Sequence, residues 1–87
     1  MLKAILIDDE RPALRELEFL LEAIGGTEVG GAFTNPLEGL RAVSDMAPDV
    51  VFIDINMPQL RGIDAAAMIL DKQPRANIVF VTAYDQY

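Results

Sequence analysis

The stretch "VVFIDINMP", which runs from Val50 to Pro58, is the best guide to how this chain folds. Its first four residues are apolar and favour β-strands, and they lead directly to Asp54. An ionised carboxylate at the tip of a buried strand is unfavourable unless a partner compensates its charge. A second stretch, "AILIDDE" from Ala4 to Glu10, has the same form and raises the same question.

Three short apolar runs in the chain are typical of buried strands. They are nearly continuous rather than alternating, as expected for parallel strands that are covered on both faces. A fourth run is weaker, because its glycines and its alternation indicate a more exposed strand. The three runs are Leu2 to Ile7, Val50 to Ile53 and Asn77 to Val81, and the weaker run is Thr27 to Phe33.

Helical patterns occupy the segments between these runs. The first predicted helix has Pro12 in its first turn and Gly25 at its end. The second begins with Asn35 as N-cap and Pro36 at the first helical position, and Glu38 is placed to complete a capping box. The predicted inward stripes are Leu14, Leu17, Leu21 and Ile24 in the first helix and Leu37, Leu40 and Val43 in the second.

A third helix is predicted from about Arg61 to Lys72, and it is apolar nearly all round. Helices with so little polar surface are covered on more than one side. Two explanations stay open, an alanine-rich helix with small exposed side chains or a contact surface. The residues expected to face inward are Ile63, Ala66, Ala67 and Leu70.

The alternation of strands and helices predicts an α/β fold with a doubly wound parallel sheet and right-handed crossovers. The chain has 87 residues, and we expect residues 1–87 to form a single domain because no repeat or linker interrupts them. Hydrophobic residues make up 52% of the chain, which is ample for a core and argues against disorder.

The composition excludes several kinds of function. Because the net charge is −7, non-specific binding to nucleic acid or to an anionic membrane is unfavourable. The chain contains no cysteine and no histidine, which excludes thiol chemistry, thiolate metal sites and catalysis by an imidazole. Apolar runs of transmembrane length and a signal-peptide pattern are both missing from the sequence, so we expect a cytoplasmic protein without membrane contact.

Acidic residues follow two of the predicted strands. Asp8 and Asp9 come directly after the first strand, and Asp54 ends the third. Ligands of parallel α/β sheets bind beyond the carboxyl ends of the strands. If the first and third strands are neighbours in the sheet, their tips lie about 5 Å apart. Two carboxylates at that distance repel by about 3 kcal/mol at an effective dielectric constant of about 20. The sequence therefore predicts either a protonated carboxyl group with a raised pKa or a divalent cation at this edge.

A hard divalent cation suits this edge, because the available ligands are all oxygens, and a site that keeps several waters favours Mg²⁺ over Mn²⁺ or Ca²⁺. The alternative is that Asp8 and Asp54 only cap the helices that follow them. A calcium-binding loop is excluded, because Gln59 and Ala65 stand where that loop needs glycine and glutamate. Thr82 follows the fourth strand at the same edge, either as a β-branched strand residue or as a hydroxyl contact for a bound phosphoryl group.

Three motifs together resemble the receiver domain of two-component response regulators. They are "ILIDDE" (Ile5 to Glu10), "VVFIDINMPQLRGID" (Val50 to Asp64) and "IVFVTAYD" (Ile78 to Asp85), in the order in which the family has them. The resemblance implies a flavodoxin-like receiver fold with the strand order 2-1-3-4. The segments "DDERPAL" and "VTAYDQY" are further similar to receivers of the LytTR class, which usually carry a separate DNA-binding domain.

The resemblance implies a metal site and a nucleophile. Asp54 would accept a phosphoryl group that a histidine kinase carries, so this carboxylate would be the catalytic nucleophile. Asp9 would bind Mg²⁺ directly, and Asp8 would bind it directly or through water. The backbone carbonyl of Asn56 would complete the protein's share of the Mg²⁺ ligands.

The resemblance also implies residues that contact the phosphoryl group and shape the turn. Thr82 would hydrogen-bond the phosphoryl group, and Ala83 would leave room for the donor to approach. Pro58 and Gly62 would shape the turn after the phosphorylation site. Because the chain has no histidine, the phosphodonor must be another molecule, and DNA would be contacted only through an output domain outside this chain.

A complete receiver of this family continues with a further helix, strand and helix. The added strand carries a lysine that pairs with the phosphorylated aspartate, together with an aromatic residue used in switching. We therefore expect this chain to be a receiver truncated after its fourth strand, without the parts that the family uses to switch. We also expect the exposed fourth strand, Ile78 to Val81, to produce homo-oligomers.

Two other functions remain open from the sequence. A Mg²⁺-dependent phosphatase of the haloacid dehalogenase type also forms a phospho-aspartate after a buried strand, but it typically needs a second aspartate where this chain has Asn56. An interaction or oligomerisation fragment with a vestigial acidic pocket is the other alternative. The preferred interpretation is a signalling domain and not a turnover enzyme.

Overall fold

The computed structural model describes residues 1–81, which form four strands and three helices. In chain order these are β1 (Leu2–Ile7), α1 (Arg11–Ile24), β2 (Thr27–Phe33), α2 (Pro36–Met46), β3 (Val50–Asp54), α3 (Gly62–Lys72) and β4 (Asn77–Val81). The strands form one parallel sheet in the order β2-β1-β3-β4. The predicted flavodoxin-like α/β fold and its strand order are confirmed.

Strands β1 and β3 are the two central strands, and both are covered on both faces. This packing holds their carboxyl ends side by side. One face of the sheet packs against α2 and α3, and the other packs against α1. Buried side chains on the first face include Ile5, Ile53, Val43 and Ile69, and those on the second include Leu6, Leu14, Leu21 and Val50. Apolar side chains on both faces explain why these strands read as continuous apolar runs.

Strand β4 lies at the edge of the described sheet and pairs with β3 alone. Its Val79 and Phe80 point to opposite faces and are 40% and 42% exposed. The prediction of burial on both faces is therefore wrong for this strand, because among residues 1–81 only one neighbour flanks it. Strand β2 forms the other edge, and its partial exposure confirms the prediction of a more exposed strand.

The N-cap of α2 and the end of α1 form as predicted, but among residues 1–81 the Glu38 side chain makes no hydrogen bond back to the Asn35 N–H, so the predicted capping box is not completed. The side chain of Asn35 accepts hydrogen bonds from the N–H groups of Leu37 at 2.9 Å and Glu38 at 3.3 Å. Gly25 ends α1 with a φ of 84°, a conformation that favours glycine. Two residues of the predicted inward stripes are instead exposed, since Ile24 and Leu37 are 79% and 62% accessible. Both lie in terminal turns of their helices, beyond the part that packs on the sheet.

Helix α3 buries a different face from the predicted one. Its buried residues are Gly62, Ala65, Ala66 and Ile69. Of the residues expected to face inward, Ala66 is buried, whereas Ile63 and Leu70 are 65% and 41% exposed and Ala67 is also exposed. The prediction is wrong because a helix that is apolar nearly all round has no polar face to orient it.

None of the helices within residues 1–81 combines the length and the hydrophobicity that crossing a bilayer requires.

Candidate functional site

The acidic residues that follow β1 and β3 meet at one end of the sheet. Ile7 pairs with Ile53 in the parallel β1–β3 ladder, so the chain leaves the two strands side by side. One carboxylate oxygen from each of Asp8, Asp9 and Asp54 lies within 4.8 Å of the other two. The structure thus brings the three predicted acids together as an acidic cluster, and their roles as ligands and nucleophile stay predictions.

Asp8 and Asp54 do not serve as helix N-caps. The N-cap residues of α1 and α3 are Glu10 and Arg61. The Asp8 carboxylate instead accepts a hydrogen bond from the N–H of Glu10 at 2.9 Å, and the Asp54 carboxylate accepts one from the N–H of Asn56 at 3.2 Å. Such short local hydrogen bonds fix the direction of each carboxylate at the end of its strand. The helix-cap alternative is therefore wrong.

Burial and mutual repulsion favour the protonated forms of two of these acids. Desolvation raises the pKa of Asp54 to about 6, the charges of Asp8 and Asp9 act in the same direction, and the Asn56 N–H opposes them. Desolvation also raises the pKa of Asp8, and the adjacent charge of Asp9 adds to that shift. Without a compensating cation, the cluster thus holds charge at a cost in free energy.

No lysine or arginine side chain forms an ion pair with the acidic cluster in the part of the chain that the structure describes. The one ion pair there joins Nε of Arg61 to Asp64 at 3.0 Å, in the first turn of α3. The three clustered carboxylates are partly exposed, so they offer hard oxygen ligands with room for water. That combination fits a hydrated divalent cation such as Mg²⁺.

The loop after Asp54 is anchored at both of its ends. The N–H of Ile55 donates to the carbonyl of Val81 in β4 at 3.3 Å, and the N–H of Gly62 donates to the carbonyl of Ile55 at 2.8 Å. Between these bonds, Met57 is 5% exposed and packs in the core with α2 and α3. The anchoring role of Met57 is missing from the sequence predictions, and an apolar side chain early in a loop is the signal that points to it.

The other predicted site residues are Asn56, Thr82 and Ala83. Asn56 is exposed, and its N–H contacts the carboxylate of Asp54. Coordination of a metal by its carbonyl stays a prediction. Thr82 and Ala83 lie outside the described residues, so their contacts with a phosphoryl group stay predictions as well.

Comparison with known sequences identifies the family. The response regulator receiver domain family matches residues 4–87. An uncharacterized response regulatory protein of Vibrio cholerae serotype O1 is 53% identical over 87 residues, which are 100% of this chain and 36% of that protein. The transcriptional regulatory protein BtsR of Escherichia coli K12 is 40% identical over 87 residues, again 100% of this chain and 36% of that protein. The chain therefore spans little more than a third of the length of these curated relatives.

Solved structures agree with the sequence comparison. A response regulator receiver domain protein from Clostridium thermocellum has a TM-score of 0.85 and 36% identity, and the match covers 94% of this chain and 65% of that chain. The response regulatory domain of protein mrkE from Klebsiella pneumoniae has a TM-score of 0.83 and 33% identity, covering 97% of this chain and 69% of that chain. Since sequence, strand order and three-dimensional structure all agree, this chain belongs to the receiver domain family of two-component response regulators.

Proposed function

We propose that this chain accepts a phosphoryl group on Asp54 from a histidine kinase, in a reaction that depends on Mg²⁺. The observation that carries the proposal is the acidic cluster, in which an oxygen of each carboxylate lies within 4.8 Å of the others. Within residues 1–81 the cluster has no basic partner, which is the arrangement expected where a cation binds. Membership of the receiver family supports the same interpretation, since receivers are signalling domains rather than turnover enzymes.

The ligands available at the cluster favour Mg²⁺ over a softer metal. The chain contains no cysteine or histidine, and carboxylate and carbonyl oxygens suit hard cations. We assign Asp9 as a direct ligand, Asp8 as a direct or water-mediated ligand, and Asp54 and the Asn56 carbonyl as the remaining ligands. When bound, the metal supplies positive charge that offsets the charge of the nucleophile and of the phosphoryl oxygens.

Asp54 is well placed to act as the nucleophile. Its Oδ1 accepts the N–H of Asn56 at 3.2 Å, which holds the carboxylate in one direction at the end of β3. Desolvation raises its pKa to about 6, so the group is mostly ionised at pH 7 and is more basic than an ordinary aspartate. A carboxylate oxygen attacks the phosphorus of the phosphohistidine and the P–N bond breaks. The bonding electrons stay on the imidazole nitrogen, which takes up a proton, and an acyl phosphate remains on Asp54.

We extend the proposal to the residues that follow β4. Asp54 pairs with Val81 in the β3–β4 ladder, and Thr82 and Ala83 are the next two residues in the sequence. The Thr82 hydroxyl is assigned to hydrogen-bond the phosphoryl group, and Ala83 is assigned to leave space for the donor. Thr82→Ala is accordingly expected to slow phosphorylation without abolishing it.

The direct test is intact-mass spectrometry after incubation with Mg²⁺ and a small phosphodonor such as acetyl phosphate. We expect a single adduct with the mass of one phosphoryl group, which is absent in Asp54→Asn and in wild type treated with EDTA. A wild type that acquires no adduct, with Asp54→Asn behaving identically, would reduce the chain to an interaction or assembly unit with a vestigial pocket.

We further propose that the longer protein is a cytoplasmic transcription regulator of the LytTR class. The support is the 40% identity to a protein named as a transcriptional regulatory protein, of which this chain spans 36%. DNA contact would then belong to an output domain outside these residues. The acidic net charge of −7 agrees with that division, since this domain repels nucleic acid.

We also propose that the chain forms homo-oligomers through β4. Among residues 1–81, β4 has a strand partner on one side only, and its residues Asn77–Val81 carry no charge that would discourage pairing. Sedimentation of the 87-residue chain should show a dimer, and Val79→Lys should shift it toward the monomer. A wild type that sediments as a monomer at all concentrations would contradict this proposal.

A further inference from the structure

We infer that Gly62 is a positioning residue for Asp54. Because position 62 has no side chain, α3 begins directly against the peptide that carries Asp54, and this contact sets the place of Asp54 relative to Asp8 and Asp9. The inference rests on the proposed function, since its consequence concerns the acidic cluster as a Mg²⁺ site.

A methyl group at position 62 would meet backbone atoms and not a movable side chain. An ideal Cβ at Gly62 would collide with the carbonyl oxygen of Asp54 and would lie 2.8 Å from Cα of Ile55. It would also lie 3.1 Å from the carbonyl carbon of Asp54. Separations this short are repulsive between non-bonded heavy atoms, so either α3 or the Asp54 peptide has to move.

Both sides of this contact are held in place. The N–H of Ile55 is bonded to the carbonyl of Val81 at 3.3 Å, and the N–H of Gly62 is bonded to the carbonyl of Ile55 at 2.8 Å. Helix α3 cannot withdraw without opening the core, because its Ala65 and Ile69 are fully buried. A close-packed interior transmits such a strain, so part of the displacement falls on Asp54.

A second helical glycine provides a matched contrast. A Cβ at Gly39 of α2 would lie 2.6 Å from Cδ1 and 2.7 Å from Cγ1 of Ile7, so it would meet side-chain atoms of Ile7 and not its backbone. The Ile7 backbone is held by the ladders with Phe33 and Ile53 on its two sides, so Asp8 stays in place when that side chain moves. Gly39→Ala therefore adds the same methyl group to a helix and disturbs packing without moving the backbone of the cluster.

The test compares wild type, Gly62→Ala and Gly39→Ala by calorimetric titration with Mg²⁺ alone and by the structures of the metal-free variants. Gly62→Ala should displace Asp54 from Asp8 and Asp9 and weaken Mg²⁺ binding about 10- to 100-fold, the range found when groups that orient metal ligands are removed. Gly39→Ala should keep both the wild-type affinity and the position of Asp54. Wild-type affinity in Gly62→Ala, with Asp54 unmoved, would overturn the inference.

Two further results separate the inference from the proposed function and from a loss of folding. If wild type binds no Mg²⁺, the metal proposal fails, and the position of Asp54 in the metal-free Gly62→Ala structure still decides for or against Gly62. If Gly62→Ala is unfolded in buffer, it is refolded with trimethylamine oxide, which favours burial, and the titration is repeated in that solution for all three proteins. Equal affinities there also overturn the inference.

Discussion

The aspartates at the two ends of β3 lie in opposite environments. Just before the strand, Asp49 accepts the N–H of Lys3 through Oδ2 at 2.8 Å and donates its own N–H to the Lys3 carbonyl at 2.8 Å. Its carbonyl accepts both the backbone N–H and the side-chain amide of Asn77, at 3.0 and 3.2 Å. Asp49 thereby joins β1, β3 and β4 at the amino end of the sheet.

At the carboxyl end, Asp54 accepts one backbone hydrogen bond, from Asn56, and faces the carboxylates of Asp8 and Asp9. Each carboxylate accepts one backbone N–H, but the hydrogen bond to Asp49 links two strands, whereas the charge on Asp54 is opposed by two neighbouring carboxylates. Stability and chemistry thus occupy opposite ends of the strand. The hydrogen bonds at the amino end help the sheet to tolerate the repulsion at the other end.

The largest expected effect is on phosphorylation, which should require Asp54 and not Asp49. Asp54→Asn should abolish phosphorylation, because the amide is not a nucleophile toward phosphorus. Asp49→Asn should remain fully phosphorylatable, because an amide oxygen can still accept the N–H of Lys3. Intact mass after treatment with acetyl phosphate and Mg²⁺ measures both variants, and circular dichroism confirms that they are folded. Persistent labelling of Asp54→Asn, or no labelling of folded Asp49→Asn, would contradict the assignment of Asp54 as the phosphorylated residue.

Added Mg²⁺ should stabilise the chain only through the acidic cluster at the carboxyl end of β3. At a free Mg²⁺ concentration of about 100 times its Kd, the free energy of unfolding should rise by about 2.7 kcal/mol. Asp49→Ala should show the same increment, whereas Asp54→Ala should show a much smaller one. Urea unfolding in Mg²⁺ and in EDTA measures these increments. Equal increments in wild type and Asp54→Ala would place the cation elsewhere.

Removal of the Asp49 carboxylate should lower metal-free stability, whereas removal of the Asp54 carboxylate should not. Asp49→Ala should lower the free energy of unfolding by about 1–2 kcal/mol, because the N–H of Lys3 loses a charged acceptor that lies at the surface. Asp54→Ala should leave stability unchanged or raise it, because one of three repelling charges is removed. Urea unfolding in EDTA gives both values. A larger loss of unfolding free energy in Asp54→Ala than in Asp49→Ala would contradict the assignment of stability to the amino end of β3 and of chemistry to its carboxyl end.

The smallest expected effect is a dependence of stability on pH. The pKa of Asp54 is raised from 3.8 to about 6, so the folded chain binds this proton more tightly than the unfolded chain does. The contribution of Asp54 protonation to the free energy of unfolding is fully present below about pH 4 and is lost as the pH rises through 6. Partial exposure and salt screen the effect and keep it small.

In EDTA, the free energy of unfolding of wild type minus that of Asp54→Asn should therefore fall as the pH rises from 4 to 7. Asp49→Asn is the control. The free energy of unfolding of wild type minus that of Asp49→Asn, measured over the same pH range, is the reference against which the Asp54→Asn result is compared. A wild-type advantage over Asp54→Asn that grows across this range would contradict the expected sign.

The acidic cluster follows from the sequence because it depends on strand ends and not on details of packing. Both strands are apolar runs that end in aspartate, and parallel strands bring their carboxyl ends to one edge. The remaining assumption, that β1 and β3 are neighbours, is confirmed by the pairing of Ile7 with Ile53. The receiver motifs supply the same strand order independently.

Packing details are less predictable, because they depend on which surfaces approach each other. Helix α3 buries Ala65 and exposes Ile63, a choice that hydrophobicity alone does not indicate. Close approach to the sheet favours the smaller side chains. The contact between Gly62 and the Asp54 carbonyl is likewise visible only in three dimensions. Phe80 of β4 reads as a core residue, yet it is 42% exposed because β4 is an edge strand in residues 1–81.

The pairing of β1 with β3 also determines when during folding the site comes into existence. Asp8 and Asp54 are 46 residues apart in the chain, and α1, β2 and α2 lie between them. Closing a loop of that length costs entropy and is slow compared with the formation of local helices. A partly folded chain that contains α1 and β2 alone has no acidic cluster for a cation to bind. The onset of Mg²⁺ binding during refolding would therefore time the assembly of the central strands, separately from the appearance of helix.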